Sequence, residues 1–314
     1  MIRRRFLAGT AAATFAPAVA RAQALTTVRV STSPDEDCVA CLYGVSSGLF
    51  RRAGLDVVLT AARSGSAISA AVAGATIDIG KASLLGLITG YTHGVPFTLV
   101  APASLYNSAA PVAGTLVKSD SPIKTARDLT DKTVSVQSIK GFLQIALMNW
   151  IDQHGGDSNS VKYLELSPAA ASAALLAGRV DAATMANPLL AATLNSKKAK
   201  VFAWSCDSVG KYYLQAGYFC TTDYAAKNAD VVARFARVVA EASAYTNTHL
   251  AETVDMIAKF TDVTPEDVAS MTRVTCGIKL DPAQIQPVVD VALKYKLIPA
   301  RFDAREMIVP SLRT

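Results

Sequence analysis

No stretch of this 314-residue chain is long and apolar enough to span a bilayer. The longest, Phe6 to Ala20, runs about 15 residues against the ~20 that a spanning helix needs, and Pro17 interrupts it. Residues that build metal sites are scarce. There are five cysteines with a single Cys-x-x-Cys pair, Cys38 and Cys41, and three well-separated histidines, His93, His154 and His249. A zinc site therefore lacks ligands, and no cofactor is assigned. The one Gly-x-Ser-x-Gly match, Gly44-Val45-Ser46-Ser47-Gly48, lies within a run that reads as helix instead of at the strand-to-helix elbow the motif needs, and no metal-spaced His pair is found. Only 18% of residues are charged. The formal net charge of +6 includes Arg3, Arg4, Arg5 and Arg21, which precede any acid, and without these four it falls to +2. So weak a balance, with no Lys/Arg stripe, gives no footprint for nucleic acid.

What is present suits a globular protein. Apolar residues make up 51% of the chain, enough to fill a core, and the length allows about two domains at ~150 residues each. The order Arg3-Arg4-Arg5-Phe6-Leu7, apolar run, then Ala20-Arg21-Ala22 is that of a bacterial export signal of the twin-arginine type, residues 1–22. It predicts cleavage near Ala22/Gln23 and a mature protein in the periplasm. No cysteine follows the small residues, so a lipid anchor is not expected. A Cys206–Cys220 bridge would be worth ~3 kcal/mol, but buried free cysteine is common, and the sequence leaves both outcomes open. Cys38 and Cys41 follow Asp35, Glu36 and Asp37, which would raise a thiol pKa; they read as small helix residues, not a redox pair.

Strand and helix signals alternate. Strands are read over Thr27 to Ser31, Val57 to Thr60 and Ile77 to Ile79, and helices over Cys38 to Phe50, Ala67 to Ala73 and Ser83 to Tyr91. The same grammar returns with strands at Lys132 to Val136 and Val161 to Glu165, a helix from Gly141 to His154 capped by Ser138, and a helix from Ala169 to Ala177. Two corresponding phrases, residues 71–78 and 174–181, each run from an Ala-rich helix through Gly74 or Gly178 and a short strand to Asp78 or Asp181. Glycine suits the left-handed cap that ends such helices. The pattern predicts an α/β fold with parallel sheets, arranged as two similar doubly wound lobes. Crossovers are read at Pro111 to Val117 and Ala216 to Thr221. The expected division is lobe 1 over 27–110, lobe 2 over 111–217, and a return to lobe 1 with C-terminal helices over 218–314.

Several phrases carry a family resemblance. Tyr43, Gly48-Leu49-Phe50 and Ala53-Gly54-Leu55-Asp56-Val57 are followed by Ser64-Gly65-Ser66, residues 74–78, Gly94-Val95-Pro96-Phe97, Ser121-Pro122-Ile123-Lys124, Asp128-Leu129, Lys132-Thr133-Val134, residues 178–181 and Asn187-Pro188. Their order, over roughly residues 28 to 225, resembles the periplasmic solute-binding proteins of the sulfonate, nitrate and thiamine-precursor group (SsuA/THI5-like, NMT1-like). The resemblance implies two lobes on a two-strand hinge, the type II periplasmic binding protein fold. It also implies capture of a small solute for an ABC permease and its ATPase at the inner membrane, by a monomer that is not an enzyme. Alternatives are a thiamine-pyrimidine-synthase-like enzyme, for which the dense cysteine cluster is absent, and a binding protein that feeds a membrane sensor. Where the family usually has Glu-Pro, this chain has Asn187-Pro188.

In open α/β sheets, ligands bind beyond the carboxyl ends of the strands, where helix N-termini present free N-H groups. Four junctions qualify: Ser64-Gly65-Ser66, Ala82-Ser83, Ser138 to Gly141 with Lys140, and Asn187-Pro188. Each residue there also caps a helix in the plainest reading. Ser33, Asp35 and Asp37, after the first strand, are further candidates, and Phe142 is the best-placed stacking aromatic. Three acids at residues 35–37 disfavour a purely anionic solute unless Arg63 or Lys140 balances them. They would suit an ammonium or a ring N-H, or simply form an acidic first turn.

Overall fold

The computed structural model describes residues 24–62 and 64–313; the expected export signal, residues 1–22, and Arg63 lie outside the described residues. Among the described residues eleven strands are found, in chain order β1 (Thr26–Thr32), β2 (Leu55–Ala61), β3 (Ile79–Ser83), β4 (Phe97–Asn107), β5 (Ala113–Lys118), β6 (Thr133–Val136), β7 (Lys162–Glu165), β8 (Ala182–Ala186), β9 (Ala199–Ala203), β10 (Tyr212–Thr221) and β11 (Thr275–Cys276). They form two mixed sheets, ordered β11-β4-β10-β3-β1-β2 and β7-β6-β8-β5-β9. In the first, β2, β1 and β3 are parallel while β10 runs antiparallel to β3 and β4. In the second, β7, β6 and β8 are parallel and β5 runs antiparallel to β8 and β9. Each sheet is thus a parallel βα unit with antiparallel strands where the chain enters and leaves.

The C-terminal helices return to the first sheet. The helix Ala229–Thr246 buries Val231, Val232, Phe235, Val238, Val239 and Ala242, a stripe at helical spacing that packs against β4, β2 and the helix Val39–Ser46. Pro282–Lys294 covers β10 with Ile285, Val288 and Val289.

Several local expectations change. The predicted helix over Cys38 to Phe50 is three pieces, a 3-10 turn Glu36–Cys38 and helices Val39–Ser46 and Leu49–Arg52, because Gly48 takes a φ of +73° and breaks the run. The predicted strand at Ile77 to Ile79 begins only at Ile79, and β8 likewise begins after Asp181. The reason is shared. The Asp78 carboxylate accepts from Arg29 N at 2.7 Å and the Asp181 carboxylate accepts from Thr133 N at 2.8 Å, so each aspartate staples a neighbouring strand just before its own starts. Ser138 does not cap the next helix, which starts at Phe142 with Gly141 as its cap. Finally, β10 starts at Tyr212, pairs with β4 from Tyr212 to Thr221 and with β3 over residues 216–219, so the return to the first sheet precedes residue 217; the crossing itself is 204–211.

Candidate functional site

The topology aims one edge of each sheet at the other. The last residue of β4, Asn107, pairs with the first of β10, Tyr212, at the carboxyl edge of the first sheet. The first residue of β5, Ala113, pairs with the last of β8, Ala186, at the carboxyl edge of the second. Both crossings, 108–112 and 204–211, therefore leave one carboxyl edge and arrive at the other, and a bond from Ser108 N to Lys211 O of 2.9 Å ties them side by side. The loops that follow β1, β3, β6 and β8 flank this passage, the position where α/β sheets hold ligands.

On the first sheet, Ser64 caps the helix Gly65–Ala73 by accepting from Ala67 N at 3.3 Å, and its hydroxyl lies 3.0 Å from that of Ser66. Gly65 packs on Ala82: a Cβ there would stand 3.6 Å from Ala82 Cβ. These two junctions are thus neighbours. Ser83 is exposed and heads the helix Leu84–Thr92 without a side-chain cap bond.

On the second sheet, the turn 138–141 is held from inside. Ile139 N donates to Glu165 Oε2 at 2.8 Å, Lys140 N to Gln144 Oε1 at 2.5 Å, and Gly141 N to Ser138 O at 3.0 Å. A Cβ on Gly141 would fall 2.8 Å from Ser138 O, so only glycine fits. The Ser138 and Lys140 side chains are left exposed, and Phe142 is half-buried with its ring 5.9 Å from that of Tyr213. Asn187 is buried at the head of the helix Leu189–Asn195. Its carbonyl oxygen accepts from Ala191 N at 3.2 Å and its amide donates to Thr272 O at 2.7 Å, so it bridges the two lobes.

The acidic turn holds the largest departure from the sequence reading. Lys81, in the middle of β3, is 2% exposed and its ammonium sits 2.5 Å from Asp35 Oδ1 and 3.9 Å from Asp37 Oδ2. Burial works against that ammonium, but the two carboxylates outweigh it and lift its pKa above the ordinary lysine value. Ser33 Oγ donates to the other Asp35 oxygen at 2.6 Å. Glu36 points the opposite way, into an ion pair with Arg273 and a bond from Val274 N of 3.2 Å. Burial pushes its carboxyl up to about 7 against the pull of Arg273. Asp35 and Glu36 are therefore anchored by two cations distant in sequence, Lys81 and Arg273, neither of which the sequence singled out. A lone Lys in an otherwise apolar strand, Ile-Gly-Lys-Ala-Ser, is the signal that was available.

Asp37 is the incompletely matched member. Burial raises its carboxyl to about 6, with Lys81 pulling down and Asp35 pushing up. All five cysteines are free and buried, so no Cys206–Cys220 bridge forms, and burial pushes Cys41 up to about 12. Tyr106 is core, its hydroxyl donating to Asp207 at 2.7 Å. Among the described residues no group of three or more His, Cys, Asp or Glu is arranged for a metal, and no helix is long and apolar enough to cross a membrane. Two surface hollows, one lined by His93 and Pro299 and one by Gln286 and Arg301, contain none of the junction residues.

Two α/β lobes with a double crossing between facing carboxyl edges define the periplasmic binding protein fold. Residues 36–253 match the NMT1/THI5-like family, and the chain belongs to it. A curated relative, the putative aliphatic sulfonates-binding protein of Escherichia coli K12, is 28% identical over 201 residues, 62% of this chain. The match spans 61% of that relative's length. Among solved structures, the E. coli periplasmic aliphatic sulphonate binding protein SsuA is similar with a TM-score of 0.75 and 22% identity, covering 90% of this chain and 91% of that one. The alkanesulfonate-binding protein SsuA from Xanthomonas axonopodis pv. citri, bound to MOPS, is similar with a TM-score of 0.73 and 18% identity, covering 90% and 98%.

Proposed function

We propose that this protein captures a small solute between its two lobes in the periplasm and delivers it, as a monomer, to an ABC permease and its ATPase. The solute contacts come from the junctions at Ser64 to Ser66, Ala82-Ser83 and Ser138 to Phe142 and from the Ser33 to Asp37 turn; Asn187 serves the lobe contact. One observation carries this reading: the carboxyl edges of both sheets border the same two crossings, so a solute held there touches both lobes at once. Membership in a family with a sulfonate-binding relative supports a small polar organic solute. Capture, not covalent chemistry, is favoured by Lys81. Held as an ammonium between Asp35 and Asp37, it has no lone pair to offer an aldehyde.

Thermal denaturation in the presence of small sulfonates, carboxylates and aminopyrimidines tests the proposal. A true ligand at 100 times its dissociation constant stabilises the fold by ~2.7 kcal/mol, a melting shift of several degrees. A melting temperature that stays fixed across the whole panel would overturn it.

A further inference from the structure

Resting on that reading, we infer that Asp37, with Ser104 beside it, is the subsite for an ammonium or amino N-H group on the captured solute. The charges around the turn do not balance. Lys81 is matched by Asp35 at 2.5 Å and Glu36 by Arg273, while Asp37 Oδ2 stays 3.9 Å from Lys81 Nζ, beyond hydrogen-bond reach. Among the described residues, no hydrogen bond of normal length reaches the Asp37 carboxylate. Asp35 has no such capacity left, since its oxygens are taken by Lys81 and Ser33.

A second observation is independent of the acids. Ser104 Oγ, on β4, is fully buried and closes no hydrogen bond of normal geometry; toward the Asp37 carboxylate it acts only as a weak donor, the smallest of the influences on that group. Buried hydroxyls are rarely left so. A carboxylate short of a donor and a hydroxyl short of a full bond thus stand together in the turn that follows β1, at the carboxyl edge beside the crossings. Asp37 remains 28% exposed, which leaves it an open side. A cationic or N-H-bearing solute group would supply the missing donor, and Ser104 could then close its bond to the same carboxylate. An unmatched, half-desolvated anion is costly until a partner arrives, so the site favours solutes that bring one.

The charged and polar groups near Asp37 are Lys81 from β3, Asp35 and, turned away toward Arg273, Glu36 from its own turn, Ser104 from β4, and Cys276 from β11. Lys81 is the one cation among them, and Asp35 occupies it.

Titration calorimetry at pH 8 with matched pairs tests the inference: 3-aminopropanesulfonate against propanesulfonate, β-alanine against propanoate, and 4-amino-2-methylpyrimidine against 2-methylpyrimidine. In at least one pair the amino member is expected to bind at least about tenfold tighter, the scale of a hydrogen bond to a charged group. Asp37→Asn is expected to collapse that ratio toward one, and Ser104→Ala to reduce it, with both variants checked for folding by their melting transitions. Binding in which the two members of every pair are equal, or a ratio that survives Asp37→Asn, overturns the inference and leaves solute capture standing. If none of the six compounds binds and none shifts the melting temperature, solute capture fails and takes this subsite with it.

Discussion

Lys81 sits in a strand whose other buried members are Ile79, Gly80 and Ala82, and its ammonium ends between two carboxylates. Removing one partner of such a cluster leaves the others desolvated and unmatched. Lys81→Met, which keeps the volume, is therefore expected to cost about 3 kcal/mol, read as a lower urea midpoint at an unchanged slope. Asp37 behaves in the opposite sense. Its carboxyl is raised from 3.8 to about 6 in the folded protein, so between those values the folded state holds a proton that the unfolded state has lost. Stability then falls as pH rises through that window, and the deficit persists above it. Asp37→Asn has no such titration. It is expected to gain on the order of 1 to 2 kcal/mol over the parent at pH 8 and to show no gain at pH 4. Melting curves at the two pH values check this; a variant that loses stability at pH 8 would mean that Lys81 holds Asp37 more tightly than the 3.9 Å separation implies.

The repeated phrase at residues 71–78 and 174–181 is an element-scale feature, and it was legible because helix termination and strand stapling both leave local marks. The helix ends are where the pattern put them, but each aspartate precedes its strand instead of closing it, and the cap is not the same residue in both copies. Gly178 takes the left-handed conformation, with a φ of +69°, whereas Gly74 has a φ of −83° and its neighbour Ala75 turns left-handed at +55°. In the first copy Gly74 marked the region of the turn, not the strained position. Ala75→Gly is accordingly expected to stabilise the protein by about 0.5 to 1 kcal/mol and Gly178→Ala to destabilise it by about 1 kcal/mol, both measured by urea unfolding. Equal effects at the two sites would contradict this assignment. The four strand-to-helix junctions were readable for the same local reason. What could not be read was anything made by residues far apart in the chain. Lys81 meets Asp35 across 46 positions and Arg273 meets Glu36 across 237, and neither pair has a spacing rule to give it away. Asp35 and Glu36 seemed open to a ligand because their partners arrive only when the sheet closes.

Across the whole molecule, the two lobes share more than their crossings. Ile145 and Ala146, on the helix Phe142–Gln153 of the second lobe, belong to the same apolar cluster as Leu105, Tyr106 and Tyr213 of the first. Polar ties flank that contact: Lys294 Nζ donates to Asn149 Oδ1 at 2.7 Å and Tyr295 OH to Asp152 at 2.6 Å, while on another face Asn187 reaches Thr272 O and Asn195 bonds Asp267 and Ser270. A shared core couples unfolding of the two lobes, so heating is expected to give one calorimetric transition whose van't Hoff and calorimetric enthalpies agree. The polar ties act on a smaller scale. Each contributes about 1 kcal/mol to the lobe arrangement in which it forms, and a change of that size redistributes a hinged ensemble without unfolding either lobe. Replacing Tyr295 with Phe and Lys294 with Ala together should therefore leave the single melting transition in place yet raise the solute-free radius of gyration seen by X-ray scattering. Apparent solute affinity should fall by the factor through which the binding-competent population shrinks, up to about tenfold. A double variant with unchanged scattering and unchanged affinity would instead place the pivot wholly in residues 108–112 and 204–211, with the helices riding on it as passengers.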